Sequence, residues 1–241
     1  MAYFHGFVIP VPTANRAAFI EHSTKTTALM REFGASRVVD AWGDDVPDGK
    51  INDFKMAVQA TAAETVCFGW MEYSDRAACD AAVQKIMTDP RMQAIGDMPF
   101  DGKRMIFGSF EPLLDESIAG ASTYVDGFII PVPNDKREAY REMAIKSWPI
   151  FRDHGAIRQV ETWGADVPHG EVTDFWRAAH AKDDEGVVFA FLEWPDKASR
   201  DRGMKGFMED DRVKAMPQEM PFDGKRMIFG GFAILPTAPG V

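Results

Sequence analysis

The alternation of apolar and polar positions is written twice along this chain. Phe4 to Val11 is almost continuously apolar and returns as Val125 to Val132; Val66 to Met71 returns as Val187 to Leu192. Runs that are apolar at odd and even positions alike predict strands covered on both faces. Pro10 and Pro12, with Pro131 and Pro133 in the second copy, end the first strand, since proline donates nothing to a ladder. A helical pattern follows, Arg16 to Phe33 and Arg137 to His154. Thr13 and Asn134 are its expected N-caps, and Gly34 and Gly155 stand where a left-handed C-cap is wanted. Pro149 is expected to kink the second of these helices.

A more polar second strand, Ala35 to Trp42 and Ala156 to Trp163, has the composition of a sheet edge. The loop behind it, Trp42 to Gly49 and Trp163 to Gly170, is fixed by its Pro and Gly positions. The segments opened by Asp53-Phe54 and Asp174-Phe175 fit a strand or a short capped helix equally well. After the third strand comes a second helix, which ends near Asp89-Pro90 in copy one, and then a stretch that is identical in both copies. Met-Pro-Phe-Asp-Gly-Lys-Arg-Met-Ile-Phe-Gly runs from Met98 to Gly108 and again from Met220 to Gly230. Asp101-Gly102 and Asp223-Gly224 in it are turn dipeptides, and Lys103 to Phe110 and Lys225 to Phe232 are the expected last strands.

Each copy therefore reads β-α-β-β-α-β, the ferredoxin-like order with the first and third strands central. One such sheet covers a single face with its helices, yet the central strands here are apolar on both. The second copy must cover the other face, which predicts an α+β protein of two ferredoxin-like repeats packed sheet to sheet. The boundaries are 1–111 and 124–241, with 112–123 as a linker able to span up to ~40 Å.

Composition narrows the function. The 241 residues are 46% apolar with 18 Phe, enough for a large core, and the net charge of −10 is shared by both halves. Neither half offers the basic surface that nucleic acid or an anionic membrane would need. The two cysteines, Cys67 and Cys79, are replaced by Val188 and Arg200 in the other copy, so reduced thiols and a cytoplasmic location are expected. Neither a basic signal segment nor a membrane-length apolar run is seen.

The set Gly-Phe-Val/Ile-Ile-Pro-Val-Pro, Trp-Gly-x-Asp-Val-Pro-x-Gly, Asp-Phe and the repeated eleven-residue stretch resembles the bacterial YbaA-like family, a family of unknown function (domain of unknown function 1428). The resemblance covers nearly all of both halves. It implies a dimeric α+β barrel, which two copies in one chain would build as an intramolecular pseudo-dimer, with a further homodimer left open. Barrels of this kind also include cofactor-free monooxygenases, isomerases and haem enzymes, an analogy of fold alone.

No strong catalytic motif is present, and the histidines His154, His169 and His180 lack metal spacing, so no metal and no cofactor are expected. The two copies differ most under the first helix. Copy two presents Tyr140, Met143, Ala144, Ser147, Trp148 and Phe151 where copy one has Phe19, His22, Ser23, Thr26, Thr27 and Met30. Buried polar groups need partners, and this stripe suggests a polar pocket with His22 as general acid or base and Ser23 and Thr26 orienting a ligand. A helix rotated outward, with His22 merely solvated, would explain the same stripe. His5, where copy two has Asp126, is a further candidate ligand contact. Trp42 and Trp163, with Asp45 and Asp166, could rim a binding mouth or pack a barrel end. Arg104 and Arg226 could grip an anion or pair with nearby carboxylates. Arg37 and Arg158 are expected to be solvated edge charges, and Cys67 core. Two functions stay open: a small-molecule binder, with cofactor-independent oxygenase or isomerase as its catalytic form, and a non-catalytic structural or interaction module. Haem ligation by His22 or His5 is a distant third.

Overall fold

A computed structural model, describing residues 2–216 and 219–236, gives the first repeat as β1 (Tyr3–Pro12), α1 (Arg16–Glu32), β2 (Arg37–Asp45), α2 (Phe54–Ala57), β3 (Glu64–Tyr73), α3 (Arg76–Thr88), α4 (Pro90–Ala94) and β4 (Ile106–Ser117). The second is β5 (Tyr124–Pro133), α5 (Arg137–Asp153), β6 (Arg158–Asp166), α6 (Phe175–Ala178), β7 (Glu185–Trp194), α7 (Lys197–Glu209), α8 (Asp211–Lys214) and β8 (Ile228–Ile234). The ambiguous middle segments are short helices. Asp53 and Asp174 cap them by accepting from the Met56 and Arg177 amides.

The eight strands close in the order β1-β3-β2-β8-β5-β7-β6-β4, every neighbour antiparallel. Within each repeat the first and third strands are central, as their two-sided apolar runs require. The second strand is not an edge. β2 hydrogen-bonds to β8 of the other repeat, with Trp42 opposite Ala233, and β6 to β4, with Trp163 opposite Glu111. Closure of this kind removes both exposed edges. It also recruits residues expected in the linker, because β4 runs on through Pro112 to Ser117 to follow β6.

The barrel interior is a single apolar core built by both repeats, including Phe4, Phe68, Trp70, Phe110, Phe189, Phe191 and Phe232, with Phe54 and Phe175 of α2 and α6 plugging one end. Gly6 and Gly127 make room for the central rings. A Cβ on Gly6 would lie 2.9 Å from the Phe189 ring, and one on Gly127 would lie 2.7 Å from Phe68. Outside the barrel, α1 and α3 cover one sheet and α5 and α7 the other, each over its own apolar layer.

Local signals fared unevenly. Gly34 and Gly155 adopt φ of 110° and 100°, the expected left-handed caps. Thr13 and Asn134 instead open single 3-10 turns, and the helices behind them carry no side-chain cap. Pro149 lies inside α5, which continues to Asp153.

Toward the barrel end opposite the plug, Glu72 and Glu193 follow Trp70 and Phe191 and meet two arginines. Arg37 forks onto Glu193 with two bonds of 2.6 Å, and Arg158 onto Glu72 at 2.7 and 3.1 Å. Diagonal contacts of 3.4 Å, Arg37 to Glu72 and Arg158 to Glu193, close a four-charge ring across the two repeats. The expectation of solvated edge charges at Arg37 and Arg158 is therefore corrected. With β2 and β6 sealed into the barrel, both arginines turn toward the other repeat's glutamate.

Candidate functional site

Val39 and Ala41 enter the barrel core, so the alternation of β2 turns Asp40 the other way, beneath α1. Asp40 is 6% exposed and accepts a short hydrogen bond from the Ser23 hydroxyl. Burial outweighs that bond and pushes its carboxyl up to about 6. Around it, Trp42 meets the Phe19 ring at 6.1 Å and carries the Arg16 guanidinium over its face at 5.5 Å. His22 is half-buried with its ring edge-on to Phe100, and burial, helped by Lys25, lowers its pKa. Its imidazole is then neutral at neutral pH. Thr26 spends its hydroxyl on the Ser23 carbonyl at 3.0 Å.

Thr27, one turn beyond Ser23 on the same helix face, is 3% exposed and its hydroxyl has no partner. The helix is not rotated outward: Phe19, Ser23, Thr27 and Met30 are its buried residues. Of the polar stripe, Ser23 and Thr27 face the sheet, whereas His22 and Thr26 are half-buried at the margin of the helix.

The twin layer under α5 contains the same idea with every bond made. Glu161 occupies the Asp40 position and accepts from Tyr140 at 2.6 Å and Gln159 at 2.9 Å, and Gln159 also reaches Ser147 at 3.0 Å. Burial pushes Glu161 up to about 7. All the unpartnered buried side-chain atoms found among the described residues, Tyr3 Oη, Thr27 Oγ1 and Asn52 Oδ1, belong to the first repeat.

The remaining candidates lie elsewhere. His5 sits under α3 rather than α1, with Nδ1 3.0 Å from the Ser109 hydroxyl, which is 3.7 Å from the Cys79 thiol. Burial drives His5 down to about 4 and Cys79 up to about 11, so all three groups are neutral at pH 7. In the other copy the same positions hold charge: Asp126 accepts from Arg200 at 2.8 Å, and Arg200 also meets Asp45 at 2.8 Å. Trp163 is buried in the α5 layer with Arg137 over its ring. Arg104 is held by Glu64 and Asp101, and Arg226 by Glu185 and Asp223, leaving their guanidinium groups occupied. Among the described residues no group of three or more His, Cys, Asp or Glu is placed to hold a metal ion.

Ser23, Thr26, Trp42 and His22 are therefore gathered under α1, whereas His5, Trp163, Arg104 and Arg226 are not. The residue that sequence reasoning missed is Asp40. Its signal was one acid between Val39 and Ala41 on a strand, with an acid, Glu161, at the same position of the other copy.

This architecture, two ferredoxin-like repeats closing one barrel with helices outside, defines a dimeric α+β barrel made within a single chain. Two solved structures share the fold. A "putative monooxygenase" from Lactobacillus acidophilus superposes with a TM-score of 0.55 at 11% identity, over 97% of this chain and 93% of its own. A second "putative monooxygenase", from Fusobacterium nucleatum, gives 0.51 at 11% identity, over 97% and 92%. The family model described as protein of unknown function (DUF1428) matches residues 2–102 and again 123–224, and the chain belongs to that family. The uncharacterized protein YbaA of Escherichia coli K12 is 54% identical over 109 residues, which are 45% of this chain and 93% of YbaA; the Shigella flexneri protein matches equally.

Proposed function

We propose that the protein binds a small molecule between α1 and the sheet of its first repeat, with Asp40 as the proton acceptor and no bound cofactor taking part. The observation that carries this is the unpartnered hydroxyl of Thr27, one turn from the Ser23 that holds Asp40. A buried polar group left without a bond costs ~1–3 kcal/mol, and a ligand hydroxyl or carbonyl reaching Thr27 recovers it. Under α5 the positions of Ser23 and Thr27 are taken by Ala144 and Trp148, and Glu161 is satisfied by Tyr140 and Gln159, so among the described residues no buried hydroxyl is left unpartnered there.

A carboxyl at about 6 suits removal of a proton from an acidic C–H or O–H near neutral pH. Such a step begins both cofactor-independent oxygenation and isomerisation, and the monooxygenase descriptions of the two structural neighbours favour the former. Neutral His22, at the half-buried margin of the layer, is the second proton carrier in this reading.

The test is oxygen uptake and product analysis with a panel of hydroquinones and enolisable ketones, wild type against Asp40→Asn, Ser23→Ala and His22→Ala. Turnover in wild type lost in Asp40→Asn, with the circular dichroism unchanged, supports the reading. Turnover that survives Asp40→Asn overturns it.

A further inference from the structure

The eleven residues shared by both copies include exposed positions that packing does not explain. Asp101 and Asp223 are accounted for by their bonds to Arg104 and Arg226. Lys103 and Lys225, with Phe107 and Phe229, face solvent in both copies and remain unexplained. In the second copy they border a groove of about 490 Å3 between the two repeats, whose lining includes Lys50, Ile51, Asn52, Lys225, Met227 and Phe229.

The groove sets two lysines, Lys50 and Lys225, and two acids, Asp48 and Asp53, beside an apolar floor. Its acids are already engaged: Asp53 accepts from the Gly49 and Met56 amides, and Asp48 pairs with Lys55 at 2.7 Å. The lysines that form ion pairs among the described residues are Lys25, Lys55, Lys197 and Lys214, so Lys50 and Lys225 form none there. Ile51 and Phe229 are 44% and 46% exposed. Asn52 is buried in the wall, its Nδ2 donating to the carbonyls of Ala178 and Arg226, its Oδ1 unpartnered.

The pseudo-symmetric position lacks this chemistry. Glu171 replaces Lys50, and Thr173 replaces Asn52 and satisfies itself on the Ala57 carbonyl at 2.7 Å. Where the groove at Lys225 has a second lysine, Lys50, the twin surface at Lys103 has the acid Glu171, so among the described residues the pair of lysines that form no ion pair belongs to the groove at Lys225.

We propose that this groove is a second binding site, for a small organic anion with a flat apolar body. An aryl carboxylate fits it, with its charge toward Lys50 and Lys225 and its ring on Ile51 and Phe229. Charge attracts and selects such a molecule, and burial of the ring supplies most of the affinity. Arg226, the residue the sequence suggested for an anion, instead helps hold the wall in place through its carbonyl bond to Asn52.

The test is titration of the full chain with 2-naphthoate, followed by calorimetry and by 15N amide shifts. Saturable one-to-one binding is expected, weakened roughly tenfold or more by Lys50→Glu, Lys225→Glu or Phe229→Ala. Lys103→Glu, on the twin surface, is expected to leave it unchanged. The neutral 2-naphthalenemethanol is expected to bind at least about tenfold more weakly. Each substituted residue is exposed, and amide spectra that superpose away from the groove confirm the fold of the variants. Absence of naphthoate binding at millimolar concentration overturns the proposal. Equal affinity in the Lys50 and Lys225 variants, or for the neutral analogue, does the same. So does a chain dimer that Phe229→Ala dissociates and naphthoate does not.

Discussion

Phe68 and Phe189, equivalent residues of the two repeats, stack face to face at the barrel centre with ring centroids 4.6 Å apart and planes 4° from parallel. Each is wholly buried, and each is accommodated because the other repeat carries a glycine, Gly127 or Gly6, beneath the ring. Phe189→Ala is expected to cost ~3–5 kcal/mol, the range for emptying a large aromatic site in a core that cannot collapse. Urea unfolding measures it, and tryptophans of both repeats should report the loss together.

The charge ring makes a second connection. Burial pushes the Glu193 carboxyl up, but the Arg37 fork, with Ser122 and Arg158, outweighs it and holds the group below its usual range. Glu193→Gln leaves Arg37 with one carboxylate, Glu72 at 3.4 Å, beside the Ser122 hydroxyl at 3.4 Å and a neutral amide in place of the charged fork. The expected cost at pH 7 is ~2–3 kcal/mol, below the ~3–5 of a fully buried pair because Arg37 is a third exposed. A depressed carboxyl stabilises above its unfolded value of 4.5 and loses that contribution as pH falls through the folded value. The difference between wild type and Glu193→Gln in urea midpoint should therefore shrink as the pH is taken below 4.5.

Asp40 has the opposite sign. Its carboxyl rises from 3.8 to about 6, so the folded chain holds a proton that the unfolded chain has released between those values. Its contribution to stability is complete below 3.8 and falls as pH rises to about 6. Asp40→Asn, neutral at every pH and still able to accept from Ser23, is expected to be more stable than wild type at pH 8, by at most about 3 kcal/mol. Below pH 4 the two should converge. Thermal melts across this range read the effect, and a variant less stable than wild type at pH 8 would contradict the assigned protonation.

The parts of this structure legible in the sequence are those set by local pattern. The two-sided apolar runs at Phe4 and Val66 placed β1 and β3 at the centre of a covered sheet, and Gly34 and Gly155 marked the helix ends. What one repeat does next to the other was hidden. Pro112 reads as the start of a linker, yet β6 lies alongside and a register shift between Pro112 and Leu114 admits the proline to the strand. Arg37 and Arg158 read as surface charges because their partners, Glu193 and Glu72, come from the opposite copy. The polar stripe of α1 was visible by comparing the copies, whereas Asp40, its partner across the layer, was lost among the apolar residues of its own strand.

The central claim, that both repeats share one core, is tested most directly by urea unfolding followed residue by residue with 15N amide signals from each half. One transition with a common midpoint is expected in wild type, shifted equally in both halves by Phe189→Ala. Two separate midpoints, with Phe189→Ala moving only the signals of residues 124–236, would contradict it.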